Sequence, residues 1–349
     1  MLGAEERNSY LIEFYSKIDA ILKQTLNKNI IIFGASYGGE FIRWVYKEKY
    51  GKTIKGIVDR WESDTHFHVL HLMSLYYLFD ENDIIINVLP KDMGPRKEFE
   101  NIGEDWTKLN YTEAQIINLW EEIYRDHDVN SEKQYEITFY DYLEYKGNVD
   151  LLTTIRRNAV KGKEAHGYYP TDFRLMYIFF EMENLFDKKE AILDIGCGKG
   201  ASLITLYECG YKRVGGVEYT DEIYNILIEN LKKLEIDYHY LKVSNVNDIK
   251  ELKEGINCYL GDASLMEVQL DLYNNYFFFN PFSYKMSTIV FHHIIESIKR
   301  NPRKVRIFYA EPICHQYLID SGYFFLTYQS GEKMGSITYN VNIYESIYN

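Results

Sequence analysis

The segment AILDIGCGKG, residues 191–200, limits the fold of this chain more than any other. An apolar run leads into three glycines at alternate positions, Gly196, Gly198 and Gly200. Glycine adopts backbone conformations that other residues avoid, and it lets a ligand approach the main chain closely. A strand that turns through glycines into a helix presents unpaired N–H groups at the start of that helix. We therefore expect an α/β sheet with a ligand site at this turn.

The residues around this turn alternate between strand and helix patterns. After a helical segment at 171–186 and the strand 191–195, the patterns predict helices over 200–209, 221–234 and 286–299 and strands over 213–218, 256–260 and 304–310. Such alternation predicts parallel pairing of the strands. Two further strand-like segments, 322–329 and 335–344, surround the sequence SGEKMG and predict an antiparallel hairpin at the sheet edge.

A second unit of the same kind lies earlier in the chain. The pattern predicts strands over 29–33, 54–58 and 83–89 and a helix over about 38–49. Its turn resembles a dinucleotide-binding glycine turn, but Ser36 replaces the middle glycine and would crowd a pyrophosphate. Asp59 ends the second strand, where it could accept a ribose hydroxyl. Three interpretations stay open: a substrate-holding domain, an NAD-type site, and a ligand-free scaffold or dimer module.

The domain organisation follows from these two units. We predict a Rossmann-like α/β domain over 1–110, a helical connection over 111–165 and a second α/β domain over 166–349. The first domain begins with an amphipathic helix at 9–27, which packs on that domain or pairs with a second copy in a homodimer. Within the connection, EAQIINLWEEIYRDH at 113–127 has the clearest helical pattern.

The acids near the 191–200 turn indicate which ligand it binds. Glu218 ends the next strand, about 20 residues after the turn, where an acid can accept hydrogen bonds from ribose hydroxyls. Asp194 lies just before the first glycine and suits a cationic group better than a pyrophosphate. Asp262 ends a further strand and could bind an adenine amino group. S-adenosylmethionine has an ammonium, a sulfonium, a ribose and an adenine, and it has no phosphate.

The motifs LDIGCGKG, GVE, GDA and NPF, in this order, resemble those of class I S-adenosylmethionine-dependent methyltransferases over about residues 165–345. The resemblance implies a Rossmann-like seven-stranded sheet that ends in an antiparallel hairpin. It also implies that Asp194 and the glycines line the methionine side of the cofactor, Glu218 the ribose, and Asp262 with Ala263 the adenine. The complete set of predicted cofactor-binding residues is Tyr168, Asp194, Gly196, Cys197, Gly198, Gly200, Glu218, Tyr219, Asp262, Ala263 and Asn280.

The acceptor side is represented by Asn280-Pro281-Phe282. Family members that methylate amines have a D/N-P-P-Y/F segment here, in which the Asn side chain and a proline carbonyl hold the target amine. This chain has a single proline, which weighs against methylation of a nucleobase nitrogen. The predicted catalytic residues are Asn280, Phe282 and His292, the last as a general base for a hydroxyl acceptor. A structural role for His292 is the alternative.

Composition limits the partners and the compartment. The net charge is −13, and residues 1–150 contain 17 Lys and Arg against 27 Asp and Glu. An acidic surface repels phosphate backbones and anionic lipid, so we expect neither a nucleic-acid partner nor a membrane. The four cysteines form no CxxC pair, and the histidines of HFHVLH at 66–71 have no matching ligand cluster, so no metal is expected. A cytoplasmic location is expected.

The sequence thus predicts a two-domain cytoplasmic enzyme. It transfers a methyl group from S-adenosylmethionine to a hydroxyl or amine of a small molecule or glycan precursor. The alternatives are a protein or nucleic-acid N-methyltransferase and a cofactor-binding sensor or assembly module without turnover.

Overall fold

The computed structural model describes residues 15–34, 37–59, 69–78, 80–89, 93–108, 115–119, 124–126, 134–136, 139–155, 167–177, 179–180, 185–244, 251–334 and 337–348. The chain divides into two compact units, Met1–Lys146 and Gly147–Asn349. This division falls inside the connection that we predicted over 111–165. Each unit is built around its own sheet, and nearly every strand of the two main sheets is parallel to its neighbours.

The first unit has a five-stranded parallel sheet in the order β3-β2-β1-β4-β5. Its strands are β1 (Asn29–Phe33), β2 (Gly56–Asp59), β3 (Val69–His71), β4 (Asp83–Asn87) and β5 (Ile116–Asn118). Its helices are α1 (15–24), α2 (Tyr37–Tyr50), α3 (Leu75–Leu78), α4 (Pro95–Asn101) and α5 (Phe139–Gly147), the last at the boundary of the two units. The Rossmann-like α/β class predicted for this unit is confirmed.

The amphipathic helix predicted at 9–27 is present over residues 15–24, and residues 9–14 lie outside the described part of the chain. Ile18 and Leu22 are buried within the single chain. The Tyr50 hydroxyl donates to Asp19 Oδ1 at 2.5 Å, which ties α1 to α2. The apolar face of α1 is therefore covered by the chain itself, which favours packing over pairing with a second copy.

The helix predicted at 113–127 is wrong over the residues that the structure describes. Ile116–Asn118 forms β5, which pairs in parallel with β4, and Tyr124–Asp126 forms β6, which pairs antiparallel with β7 (Gln134–Glu136). The outer edge of β4 offers a row of backbone groups that need partners, and the β-branched Ile116 and Ile117 suit a strand there. This tertiary pairing overrides the helical periodicity of the local sequence.

Gly34, the first glycine of the turn in the first unit, is covered by a side chain of the same unit. Gly34 follows β1 with φ of 108°, and a Cβ placed on it would lie 2.6 Å from Cγ of Leu89. Leu89 itself follows β4, the strand beside β1 at the point where the strand order reverses. Doubly wound sheets bind nucleotides at this point, so the packing of Leu89 on Gly34 favours the scaffold interpretation. Ser36 lies outside the described residues.

Asn87 fixes the backbone of Leu89, the residue that packs on Gly34. Its Nδ2 donates to the Leu89 carbonyl at 3.1 Å and to Asn118 Oδ1 at 2.9 Å, and its Oδ1 accepts from the Leu89 N–H at 3.1 Å. We expect Asn87→Ala to lower the free energy of unfolding by about 1–2 kcal/mol, because it removes three partly buried hydrogen bonds. Denaturant unfolding would measure the change. Asn101→Ala, at an exposed position, is the control, and equal destabilisation by both variants would contradict this role for Asn87.

The second unit has an eight-stranded sheet in the order β10-β11-β9-β8-β12-β13-β15-β14. Its strands are β8 (Ile192–Ile195), β9 (Arg213–Glu218), β10 (Tyr238–Lys242), β11 (Gly255–Leu260), β12 (Asn275–Phe279), β13 (Arg306–Ala310), β14 (Phe324–Met334) and β15 (Ile337–Ser346). Strands β8 to β13 are parallel, and β15 pairs antiparallel with β13 and β14. The predicted α/β class with a final antiparallel hairpin is confirmed.

The strand count and the position of the hairpin turn differ from the prediction. We expected seven strands, and the eighth is β10, a half-exposed edge strand parallel to β11. The sequence SGEKM, predicted as a turn, lies in β14, and the ladder continues to Met334↔Ile337. Because β13 pairs with β15 only as far as Ala310↔Val341, residues 331–334 and 337–340 extend past the end of β13. We call these residues the hairpin arm.

Helices cover the faces of this sheet. They are α6 (Phe173–Tyr177), α7 (Ala201–Glu208), α8 (Asp221–Lys233), α9 (Tyr284–Arg300) and α10 (His315–Asp320). Aromatic rings fill part of the core: Phe277 stacks on Phe308 at 5.1 Å between centroids, and Phe180 stacks on Phe186 at 4.8 Å. Within the described ranges no helix has the length and apolar character needed to cross a bilayer.

Candidate functional site

The turn between β8 and α7 is built from glycines in the left-handed region. Gly196, Gly198 and Gly200 have φ of 84°, 56° and 90°. The N–H groups of Gly196 and Cys197 both donate to the Val217 carbonyl at 3.0 Å, which fixes the turn against β9. An L-residue with a side chain is strained at these φ values, so the three glycines are required by the backbone itself.

The same glycines are in close contact with other parts of the second unit. A Cβ on Gly196 would lie 2.7 Å from Cβ of Pro281, one on Gly198 would overlap the ring of Tyr168, and one on Gly200 would overlap Leu227. The contact with Pro281 brings the carboxyl ends of β8 and β12 together. These two strands flank the point where the strand order of this sheet reverses, which is where open α/β sheets bind ligands.

Glu218 connects the end of β9 to this turn. Its Oε2 accepts from the Gly198 N–H at 3.1 Å and its Oε1 accepts from the Thr220 N–H at 2.8 Å. The residue is only 8% exposed. Burial raises the pKa of the Glu218 carboxyl, and the hydrogen bonds from Thr220 and Gly198 partly oppose that effect. Each carboxylate oxygen keeps capacity for a further donor such as a ribose hydroxyl.

Asp194 lies on β8 just before the first glycine and is buried. The Ser202 hydroxyl, from the first turn of α7, donates to Asp194 Oδ2. The pKa of Asp194 is raised to about 7: burial raises it most, the hydrogen bond from Ser202 opposes the rise, and the charge of Glu218 adds to it. A second buried carboxyl thus lies near the turn and interacts with the first.

Within the described residues, neither Asp194 nor Glu218 forms an ion pair. Buried carboxylates are costly unless a cation or several hydrogen-bond donors compensate them. A phosphate would add a third negative charge beside these two, whereas a cationic ligand would neutralise them. The electrostatics of the turn therefore favour a cationic ligand that also carries hydroxyl groups.

The predicted adenine-side residues follow β9 and β11. Asp262 Oδ1 accepts from the Ser264 N–H at 2.9 Å and from its hydroxyl at 2.7 Å, so Asp262 caps the 3₁₀ helix Ala263–Leu265. Ala263 is buried, and Tyr219 is 53% exposed beside Glu218. The second oxygen of Asp262 forms no hydrogen bond with the residues that the structure describes, and this oxygen is the one left for a ligand amino group.

Cys197 and Tyr168 contribute differently from the prediction. The Cys197 sulfur packs on Gly216 of β9, where burial raises the pKa of its thiol, so only the backbone of Cys197 faces the turn. The Tyr168 ring covers Gly198, and its buried hydroxyl donates to the Leu151 carbonyl at 2.7 Å. Tyr168 therefore supports the turn from the protein side.

The acceptor-side residues follow β12. Asn280 has φ of 42°, a left-handed conformation that is uncommon away from glycine and that concentrates at functional sites. Phe282 is partly buried and packs on the core of the unit. The structure thus brings Asn280 and Phe282 to the glycine turn through the contact of Pro281 with Gly196.

His292 is not brought to this group. It lies eight residues after Tyr284, the first residue of α9, on an exposed face. At 1.5 Å per residue this position is about 12 Å along the helix axis. The neighbouring His293 faces the protein, and its Nδ1 lies 2.9 Å from the Met266 carbonyl oxygen. This contact gives His293 a structural role, and the exposed His292 has no contact with the residues of the glycine turn.

Three features of the site have no counterpart in our sequence predictions. They are Ser202 beside Asp194, the buried Lys199, and Tyr339 of the hairpin arm, whose ring lies 5.4 Å from the ring of Phe279. Ser202 could have been found, since it occupies the first turn of the helix after the glycines. Tyr339 is distant in sequence, and only the protruding hairpin brings it to the end of β12.

A metal centre has no support from the described residues, in which no three His, Cys, Asp or Glu side chains converge on a common point. His66 and His68 of HFHVLH lie outside the described part of the chain, as does the side chain of His71.

Solved structures with a similar architecture include several methyltransferases. A tRNA (m1A22) methyltransferase of Streptococcus pneumoniae, described as putative and solved with S-adenosyl-L-methionine, is 17% identical, with 50% of this chain and 71% of that chain covered and a TM-score of 0.36. Magnesium protoporphyrin IX methyltransferase of Synechocystis PCC 6803, also solved with the bound cofactor, is 12% identical. The match covers 65% of this chain and 89% of that chain, with a TM-score of 0.35. An RNA methyltransferase of Pyrococcus horikoshii, again described as putative, is 16% identical. The match covers 50% of this chain and 81% of that chain, with a TM-score of 0.33.

No protein-family model matches the sequence, and no curated protein matches it. The three structures named here are methyltransferases by their titles, and two of them were solved with S-adenosylmethionine. Every TM-score quoted is below 0.5, so these likenesses carry no argument about the activity or substrate of this chain. The titles of two of them name a putative tRNA methyltransferase and a putative RNA methyltransferase. The expectation that nucleic acid is not a partner of this chain stays a prediction.

Proposed function

We propose that the second unit binds S-adenosylmethionine and transfers its methyl group to a hydroxyl or amine of a small molecule or glycan precursor. The observation that carries this proposal is the pair of buried carboxyls, Asp194 and Glu218, at a glycine turn. Among the described residues neither carboxyl forms an ion pair, so a positively charged ligand would compensate their charge. S-adenosylmethionine supplies two cationic groups and the hydroxyls that Glu218 can bind.

The residues of the turn fit each part of this cofactor. Asp194 attracts the ammonium of the methionine part, and the glycines allow the backbone to approach it. Glu218 accepts hydrogen bonds from the ribose hydroxyls, and Asp262 accepts one from the adenine amino group through its second oxygen. Ala263 and Tyr219 provide apolar surface for the adenine ring.

Bound S-adenosylmethionine would supply a methyl group already activated by the positive sulfur. What remains for the protein is to hold the acceptor in line and to exclude water. Asn280, held in its left-handed conformation after β12, is placed to bind the acceptor atom through its amide, with Phe282 beside it. A deprotonated amine needs no further base, whereas a hydroxyl acceptor would need one, and His292 is too far along α9 to serve as that base.

The test uses methyl-tritiated S-adenosylmethionine and fractions of host small molecules, glycans, proteins and RNA. The proposal expects label in the small-molecule or glycan fraction. Label in protein or RNA would replace it with an N-methyltransferase of macromolecules. Cofactor binding without label in any fraction would identify a sensor or assembly module instead.

Cofactor affinity should depend on pH through Asp194. With its pKa at about 7, the carboxyl holds a proton below that pH and must release it before it can pair with a cation. Affinity therefore rises with pH, by up to about tenfold per unit below pH 7, and about half a proton is released on binding at pH 7. Calorimetry in buffers of different ionisation enthalpy measures that proton. Asp194→Asn should remove the release, and an undiminished release in this variant would contradict the assignment.

A further inference from the structure

Lys199 lies inside the glycine turn, between Gly198 and Gly200, yet its charge is directed away from the two buried acids. Its side chain is 1% exposed, and its Nζ lies 2.6 Å from Asp150 Oδ2. The same ammonium donates to the Thr153 carbonyl at 2.8 Å. A buried ammonium is stable only with such partners, so Asp150 and Thr153 fix the direction of this side chain.

The partners of Lys199 belong to a segment that covers the outer side of the turn. We call residues 148–155 together with 167–170 the strap. The Ile155 N–H donates to the Tyr168 carbonyl at 2.9 Å, and the Tyr168 hydroxyl donates to the Leu151 carbonyl at 2.7 Å. The Tyr168 ring lies against Gly198 and 5.3 Å from Lys199 Nζ. The two segments of the strap are therefore hydrogen-bonded to each other, and Tyr168 packs the strap against the glycine turn.

Asn230 of α8 completes this junction. Its Nδ2 donates to the Asp150 carbonyl at 2.9 Å and to the Lys199 carbonyl at 3.1 Å, and its Oδ1 accepts from the Asp150 N–H at 2.9 Å. The strap, the glycine turn and α8 therefore meet at the backbones of Asp150 and Lys199. None of these contacts involves Asp194 or Glu218, the acids that we assign to the ligand.

We propose that Lys199 is a positioning residue, whose ion pair with Asp150 holds the glycine turn in the conformation that binds the cofactor. This inference rests on the proposed function. If Asp150 loses its charge, the Lys199 ammonium must reach water, and its backbone moves with it. Because Gly198 and Gly200 are the adjacent residues, that movement withdraws the Gly198 N–H from Glu218 and loosens the turn.

The first test compares three variants at Asp150 and one control. We expect Asp150→Asn to weaken S-adenosylhomocysteine binding by about tenfold, a typical coupling for groups in one network. Asp150→Glu keeps the charge, and the Asp150 side chain is 41% exposed, so this variant should stay within about twofold of the unchanged protein. Asp150→Ala should match Asp150→Asn. The control is Asp221→Asn, at an exposed position at the start of α8.

The second test measures the turn without ligand, by hydrogen–deuterium exchange of the peptide that contains Gly198 and Gly200. We expect faster exchange in Asp150→Asn and unchanged exchange in Asp150→Glu and Asp221→Asn. Lys199→Met, if it folds, should exchange as Asp150→Asn does. Unaltered affinity and exchange in Asp150→Asn, even with a lower Tm, would overturn the inference and leave the pair a purely structural contact.

The two proposals fail in different ways. If the unchanged protein binds neither S-adenosylmethionine nor S-adenosylhomocysteine, the proposed function fails, and the assignment of Lys199 to that cofactor fails with it. If the unchanged protein binds them and Asp150→Asn binds equally well, only the role of Lys199 is refuted.

Discussion

Glu218→Ala is expected to weaken S-adenosylmethionine binding by about 10²- to 10⁴-fold. The carboxylate would accept hydrogen bonds from both ribose hydroxyls, and each such bond to a charged group contributes about 1.5–3 kcal/mol. The same change also frees the Gly198 and Thr220 N–H groups that Glu218 now holds. Titration calorimetry with the purified variant measures the loss directly.

Two further variants separate charge from packing in this experiment. Glu218→Gln keeps an acceptor oxygen of the same size but removes the charge, so its loss should be smaller, on the order of tenfold. Glu229→Ala removes an exposed carboxylate from α8 and should leave affinity unchanged. If Glu218→Ala bound the cofactor as tightly as Glu229→Ala, the ribose would have to be held elsewhere.

Asn280→Gly is expected to lower kcat by about 10²- to 10³-fold, the usual cost of removing one hydrogen-bonding group from a reacting centre. Glycine tolerates the φ of 42° at this position, so the variant removes the amide without straining the backbone. S-adenosylmethionine affinity should change by less than about threefold, because Asn280 is assigned to the acceptor. The rate is measured as label transferred to the fraction that accepts methyl groups.

A matched control exists in the same unit. Glu235, an exposed residue just after α8, also has a positive φ, of 56°, and Glu235→Gly likewise removes a polar side chain at such a φ, away from the end of β12 and from the strap. Its rate and its affinity should both equal those of the unchanged protein. A large loss of cofactor affinity in Asn280→Gly, with kcat preserved, would place Asn280 on the cofactor side and contradict its assignment.

The predicted parallel strands of the second unit were identified correctly where apolar runs end in Gly, Asp or Glu. The segment 213–218 has the predicted bounds, and so does 29–33 in the first unit. Both strands are central in their sheets, so burial on two faces forces a continuous apolar sequence. The edge strand β10, with the sequence YHYLK, was missed because it is half-exposed and its sequence contains no continuous apolar run.

The glycine turn and its acids were also predictable, because these residues are close in sequence and each follows a strand. The contacts of Lys199 could not be predicted from the sequence. Asp150 is 49 residues from Lys199 in the sequence, and Asn230, on α8, is 31 residues from it. No local sequence pattern therefore indicates that these three residues are in contact. His292 shows the opposite case: a suitable residue type near the motif, which the helix places on an exposed face.

The central claim is that the second unit binds a cationic sulfur compound rather than a phosphate-bearing nucleotide. Calorimetric titration of the full chain with S-adenosylmethionine, and separately with ATP and NAD, tests it most directly. The account predicts a dissociation constant on the order of micromolar for S-adenosylmethionine, lost in Glu218→Ala, and no heat from the two nucleotides. Binding of ATP or NAD that Glu218→Ala abolishes, with none of S-adenosylmethionine, would contradict it.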